Sequence, residues 1–236
     1  MTSLAPIAVA LDAPDLETAA RWASLVTPHV STVKVGLELY LRYGPDVVAS
    51  VRGASRVEVF LDLKLHDIPA TVAGAARVVS RLRPAYLTVH ATGGAAMIRA
   101  AAAEAGPTTK IAAVTVLTSL HDRDLGDIGL NGPAADAVRR LAAMAVAAGA
   151  QAVVCSPQEA AAVRAEVGPE ITLITPGVRP EGSAAQDQAR VATPEEALNA
   201  GADLLVIGRP ITGSPDPGAA AAGIAAALRR TGAATR

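Results

Sequence analysis

Leu61-Asp-Leu-Lys-Leu-His-Asp-Ile-Pro69 alternates apolar and charged residues and then stops at a proline. Successive side chains of a β-strand take opposite faces, so Asp62 and Lys64 point one way and Leu61, Leu63 and Leu65 the other. Two opposite charges on one face of a largely buried strand need each other or a ligand. Asp67 lies just past the strand, at the entry to a helix whose start is marked by Pro69. The stretch is thus a strand that ends in charge and turns directly into a helix.

The rest of the chain repeats that unit. Short apolar, β-branched runs at Ile7–Leu11, Val33–Gly36, Val57–Leu63, Tyr86–His90, Ile111–Leu117, Ala152–Cys155, Ile171–Ile174 and Leu204–Ile207 read as strands. Between them lie Ala- and Arg-rich segments with amphipathic spacing, such as Val72–Arg83 and Ala134–Ala148, and Asp216–Arg230 follows the last strand. Asp15, Ser156-Pro-Gln-Glu159 and Thr193-Pro-Glu-Glu196 carry the residue types that cap helix starts. Eight strand–helix alternations in one chain predict a (β/α)8 barrel (a TIM barrel) forming a single domain over residues 1–236. A doubly wound open sheet has the same periodicity and stays as the alternative.

Composition narrows the function. The formal net charge is −1, so no global field favours nucleic acid or an anionic membrane surface. Aromatic residues make up 2% of the chain, too few for a platform on which bases stack. The first fifteen residues lack a basic start, their apolar stretch stops at Asp12, and the other apolar stretches fall short of a membrane span. The lone cysteine, Cys155, cannot form an intrachain disulfide and ends an apolar run, which favours buried packing over a reactive thiol. The expectation is a cytoplasmic protein acting on a small molecule.

In a barrel, groups that act on a ligand lie where strands end and the following loops begin. Polar residues cluster there: Asp12, Lys34, Asp62, Lys64, His90, Thr118 and Arg209. A structural ion pair with Asp67 as a helix cap is the less favoured reading, because the other polar strand ends converge on the same place. Lys34 strengthens the functional case, since a lysine inside Val33-Lys-Val35 is costly without partners. Two lysines alternating with carboxylates suit the stabilisation of a carbanion and the delivery of a proton.

The stretch 61–69, with His66, Ile68 and Pro69 extending an Asp-x-Lys-x-x-Asp core, closely resembles the signature of the orotidine 5′-phosphate decarboxylase family, bacterial-type branch. The resemblance continues through Val9–Asp12, Val33–Gly36, Val89–Ala91 with Gly93-Gly94, Val116–Ser119, Thr175–Arg179, Asp187–Val191 and Ile207–Pro210. It implies decarboxylation of orotidine 5′-phosphate to uridine 5′-phosphate without cofactor or metal. Lys34, Asp62, Lys64 and Asp67 match the family's charged tetrad. By resemblance, Lys64 protonates C6 of the pyrimidine, Asp62 sits near the substrate carboxylate, and Lys34 holds Asp62 and the ribose. Asp12 would bind a ribose hydroxyl and Thr118 the pyrimidine. The family is dimeric at this site, so Asp67, with Ile68 and Thr71, would act on the partner subunit's substrate.

Arg179, Gln188, Gly208 and Arg209 are the expected phosphate grip, and Pro176 is a further expected substrate contact. Barrels often hold phosphate after the seventh and eighth strands, where a glycine admits the anion to backbone amides and an arginine binds it bidentately. The Gly-, Pro- and Ser-rich stretch from Pro176 to Ala192 is long enough to be a closing lid. His66 and His90 with nearby carboxylates suggest a metal, but the Lys64 cation opposes one, and structural hydrogen bonding is the favoured reading. Related keto-sugar-phosphate decarboxylases carry a metal-binding carboxylate on the second strand, where this chain has Lys34; Glu38 lies four residues further on. A silent phosphate-binding barrel is the remaining rival. The family often has Asn after Asp-Ile-Pro, and this chain has Ala70, so one hydrogen bond of the pattern is absent.

Overall fold

Eight parallel strands form, in chain order and each hydrogen-bonded to the next: β1 (Ala5–Ala10), β2 (Val30–Gly36), β3 (Glu58–Leu65), β4 (Tyr86–His90), β5 (Lys110–Val114), β6 (Ala152–Val154), β7 (Thr172–Thr175) and β8 (Leu204–Ile207). The last pairs with the first, so the sheet is a closed barrel and the open-sheet alternative falls. The coordinates are a computed structural model that describes residues 4–55, 57–180 and 192–230.

Alternation along each strand sorts the side chains. Val33 and Val35 of β2, Leu61 and Leu63 of β3, and Leu87 and Val89 of β4 are buried in one outward layer against the helices. Ala8, Phe60, Ala112, Ala152, Ile174 and Leu204 fill the interior. The small alanines leave room for Phe60, which packs edge-on against Tyr86 with ring centroids 5.6 Å apart. This packed layer floors the cavity described below.

The helices follow from local chemistry. Asp15 accepts a 2.7 Å hydrogen bond from the Thr18 amide and starts helix Leu16–Val26. Thr193 and Glu196 form a reciprocal capping box at Pro194–Asn199. Ser156 Oγ accepts from the Gln158 amide, yet the helix begins only at Ala160, so the expected start there is a turn.

β1 and β2 start earlier than expected, at Ala5 and Val30, and two carboxyl-terminal strand ends differ by more than one residue. β5 ends at Val114, because Val116 is buried in a separate cluster with Leu125 and Val138 rather than in the ladder. β3 runs on to Leu65 through a bulge. Its register slips between Leu61↔Leu87 and Leu65↔Val89, and Lys64 adopts φ 49°, a left-handed conformation uncommon for side-chain-bearing residues. Among the described residues, no helix is long and apolar enough to cross a membrane.

Candidate active site

The carboxyl ends of the strands enclose a cavity of about 560 Å³, within the range of small-ligand sites. Ala10, Phe60, Val114, Val154 and Val206 give it apolar lining. Asp12, Lys34, Asp62 and Lys64 enter from the ends of β1 to β3, and Thr118 from the turn after β5. Pro176 and Arg179 follow β7, and Gly208 and Arg209 follow β8. Nine of the residues singled out in the sequence therefore line one cavity.

Asp62 is the electrostatic hub. Its Oδ1 accepts from Lys64 Nζ at 2.8 Å, and its Oδ2 lies 3.3 Å from Lys34 Nζ. Lys34 in turn stands 3.7 Å from Asp12 Oδ1. Lys34 is 8% exposed, so its charge depends on these two carboxylates. Burial alone pushes the Asp62 carboxyl up. The charges of Lys34 and Lys64 and the hydrogen bonds from both ammoniums override that and hold it below the ordinary carboxylate value. At neutral pH the hub is an ionised carboxylate clamped between two ammoniums.

Asp67, Ile68 and Thr71 do not line the cavity. Asp67 Oδ1 accepts from the Ile68 amide at 2.6 Å, ahead of helix Pro69–Ser80, and all three residues are exposed, Ile68 to 66%. Ala70 lies on the same exposed rim. Gln188 lies outside the described residues, as does most of the stretch expected to be a lid. The two ends of that stretch are tied together, with Val178 bridged to Ala192 and the Arg179 amide donating to Ala192 O at 2.9 Å.

Glu38 is on the helix Leu37–Tyr43, where it pairs with Arg42, and it does not reach the cavity. The rings of His66 and His90 lie in tilted contact, with centroids 5.5 Å apart and planes inclined at 37°. Burial, with the nearby His66 and Lys64, lowers the His90 pKa against an opposing pull from Asp62. No group of three or more His, Cys, Asp or Glu side chains among the described residues is arranged to hold a metal ion. Cys155 is buried, as expected from its apolar run, and also contributes to the cavity wall.

Thr88 was not singled out in the sequence. It is fully buried on β4, accepts a 2.8 Å hydrogen bond from the Lys64 amide and donates at 3.1 Å to Asp62 Oδ1. The available signal was its place two residues before His90, on the inward face of a strand whose neighbours Leu87 and Val89 face out.

The sequence matches the family model described as orotidine 5′-phosphate decarboxylase / HUMPS family over residues 5–224. It is 75% identical to an orotidine 5′-phosphate decarboxylase of Thermobifida fusca, over 97% of this chain and 98% of that one. It is 58% identical to the protein of the same name from Frankia casuarinae, over 97% and 89% of the two chains. The crystal structure of orotidine 5′-phosphate decarboxylase from Lactobacillus acidophilus superposes with a TM-score of 0.81 at 38% identity, covering 93% of this chain and 97% of that one. With the charged array and barrel already in place, these matches establish that the chain belongs to the orotidine 5′-phosphate decarboxylase / HUMPS family.

Proposed function

We propose that this chain is a carboxy-lyase that converts orotidine 5′-phosphate to uridine 5′-phosphate in pyrimidine biosynthesis. The observation that carries the reading is the Lys34–Asp62–Lys64 array at the cavity wall. A lysine stands on the second strand where metal-using relatives of this barrel place a carboxylate. The array supplies fixed positive charge and a proton, both of which this decarboxylation needs.

The reaction breaks the C6–carboxylate bond and releases carbon dioxide, leaving an electron pair on C6 with no adjacent carbonyl to accept it. Lys64 meets that charge with a preorganised ammonium, then transfers a proton from Nζ to C6. Asp62 holds Lys64 in place and faces the departing carboxylate, while Lys34 supports Asp62 and, with Asp12, a ribose hydroxyl. Thr118 contacts the pyrimidine. Arg179 and Arg209 bind the phosphate with Gly208 and Gln188, and Pro176 is a further substrate contact. No cofactor or metal enters this scheme.

The chain acts as a single catalytic domain and as a cytoplasmic homodimer. Asp67, Ile68 and Thr71 of one subunit complete the other subunit's site, which fits their exposure where β3 gives way to the helix Pro69–Ser80. The decisive assay follows loss of the ultraviolet absorbance of orotidine 5′-phosphate with purified protein and a chelator. Turnover indifferent to chelator is expected. Absent turnover overturns the reading, and turnover abolished by chelator favours the metal-dependent relatives.

A further inference from the structure

Thr88 does not line the cavity, yet its hydroxyl closes a ring of hydrogen bonds behind it. The Lys64 amide donates to Thr88 Oγ1 at 2.8 Å, the hydroxyl donates to Asp62 Oδ1 at 3.1 Å, and Lys64 Nζ donates to the same oxygen at 2.8 Å. One carboxylate oxygen therefore holds the side chain of Lys64 directly and its backbone through Thr88.

The ring sits where β3 leaves its regular ladder. Between Leu61↔Leu87 and Leu65↔Val89, β3 takes four steps while β4 takes two. Lys64 falls in that excess, with its φ of 49°. The bulge takes Lys64 out of the β3–β4 register, and Thr88 supplies the acceptor for its half-buried amide. A hydroxyl suits the place because it accepts and donates at once. Valine has the same branched shape and does neither, whereas serine does both.

We infer that Thr88 is a positioning residue for the decarboxylation: its hydroxyl holds the Lys64 bulge and turns Asp62 so that Oδ1 meets Lys64 and Oδ2 meets Lys34. The inference rests on the reaction proposed above. It makes the bulge part of the catalytic geometry, since Lys64 Nζ reaches the cavity from a backbone position that a regular strand would not provide. Thr88 acts through Lys64 and Asp62, with no contact of its own to substrate.

The test compares purified Thr88→Val, Thr88→Cys and Thr88→Ser with the unaltered protein in steady-state decarboxylation of orotidine 5′-phosphate. Thr88→Val is expected to lower kcat on the order of 100-fold through misplacement of the reacting group. KM should stay within about twofold, since the cavity lining is intact. Thr88→Ser should keep kcat within about threefold of the parent. Thr88→Cys, with a weak donor, should fall roughly tenfold and replaces the valine variant if that fails to fold. A folded valine or cysteine variant with parental kcat overturns the inference, as does a serine variant as slow as valine. If the unaltered protein itself fails to turn over, the proposed reaction falls, an outcome distinct from any ranking of the variants.

Discussion

Lys34 and Asp62 sit on adjoining strands without being ladder partners. Asp62 lies beside Gly36, and Lys34 leans along β2 to bring Nζ within 3.3 Å of Oδ2. The glycine keeps the path open, because a Cβ there would stand 3.3 Å from Lys34 Nζ and 3.2 Å from Asp12 Oδ1. Lys34 thus reaches its carboxylate through the space of a missing side chain.

That dependence makes Asp62 a stability residue as well as a site residue. Asp62→Ala leaves the buried Lys34 ammonium with Asp12 alone, whose side chain is 64% exposed and 3.7 Å away. A loss of about 3 kcal/mol is expected in denaturant unfolding, the scale for breaking a buried pair by removing one partner. Adding Lys34→Met should recover part of it, and a double variant no more stable than Asp62→Ala would contradict the account.

Lys64→Ala should lower turnover by at least about 10³-fold while circular dichroism and melting stay near those of the parent. Asp67→Ala should be comparably slow if its carboxylate serves the neighbouring subunit. Unfolding and refolding the two variants together then restores about a quarter of parental activity, since half the dimers are mixed and each has one intact site. No recovery on mixing would place Asp67 in its own subunit's site or outside catalysis.

Arg209→Ala should act on binding. Loss of one charge-assisted contact to the phosphate raises KM roughly 10- to 100-fold with a smaller change in kcat. The check is inhibition by uridine 5′-phosphate against inhibition by uridine: the variant should narrow the gap between them. An unchanged preference for the phosphorylated compound would remove Arg209 from the grip.

His90 makes stability pH-dependent in a stated direction. Its folded pKa lies below the usual 6.5, through burial first and then the charges of His66 and Lys64, with Asp62 opposing. Above 6.5 the ring is neutral in both states and contributes nothing. As pH falls through 6.5 the unfolded ring takes up a proton that the folded ring refuses, so stability declines until the lower folded value is passed. Urea midpoints should drop between pH 7.5 and 5.5 less for His90→Gln than for the parent, and parallel drops would refute the assignment.

The strands and the charged array were legible because both are local patterns. Short β-branched runs mark each strand, and two-residue spacing predicts one face for Asp62 and Lys64, which do enter one cavity. The bulge at Lys64 was not legible, since it arises from the register between β3 and β4, a relation between distant segments. Thr88 was missed for the same reason: threonine is an ordinary strand residue, and only the fold gives its hydroxyl two partners. The end of β5 was overrun because Val116 is apolar for burial in a neighbouring cluster, and hydrophobicity does not distinguish that from pairing. Gln188 falls outside the described residues, so its place rests on the motif.

The eighth strand holds a position in time as well as in space. It joins β1 through three registered pairs and β7 through two, and Gly208 and Arg209 follow it directly. During synthesis Lys34, Asp62 and Lys64 leave the ribosome well before Gly208 and Arg209, so the wall that follows β8 is added after the charged array. A chain cut before Gly208 would carry most of the charged array beside an unfinished wall, and loss of β8 as well would expose raw edges on β1 and β7. Loss of β8 removes the closing strand and the Gly208–Arg209 wall together, so a product truncated before Leu204 is expected to be both inert and adhesive.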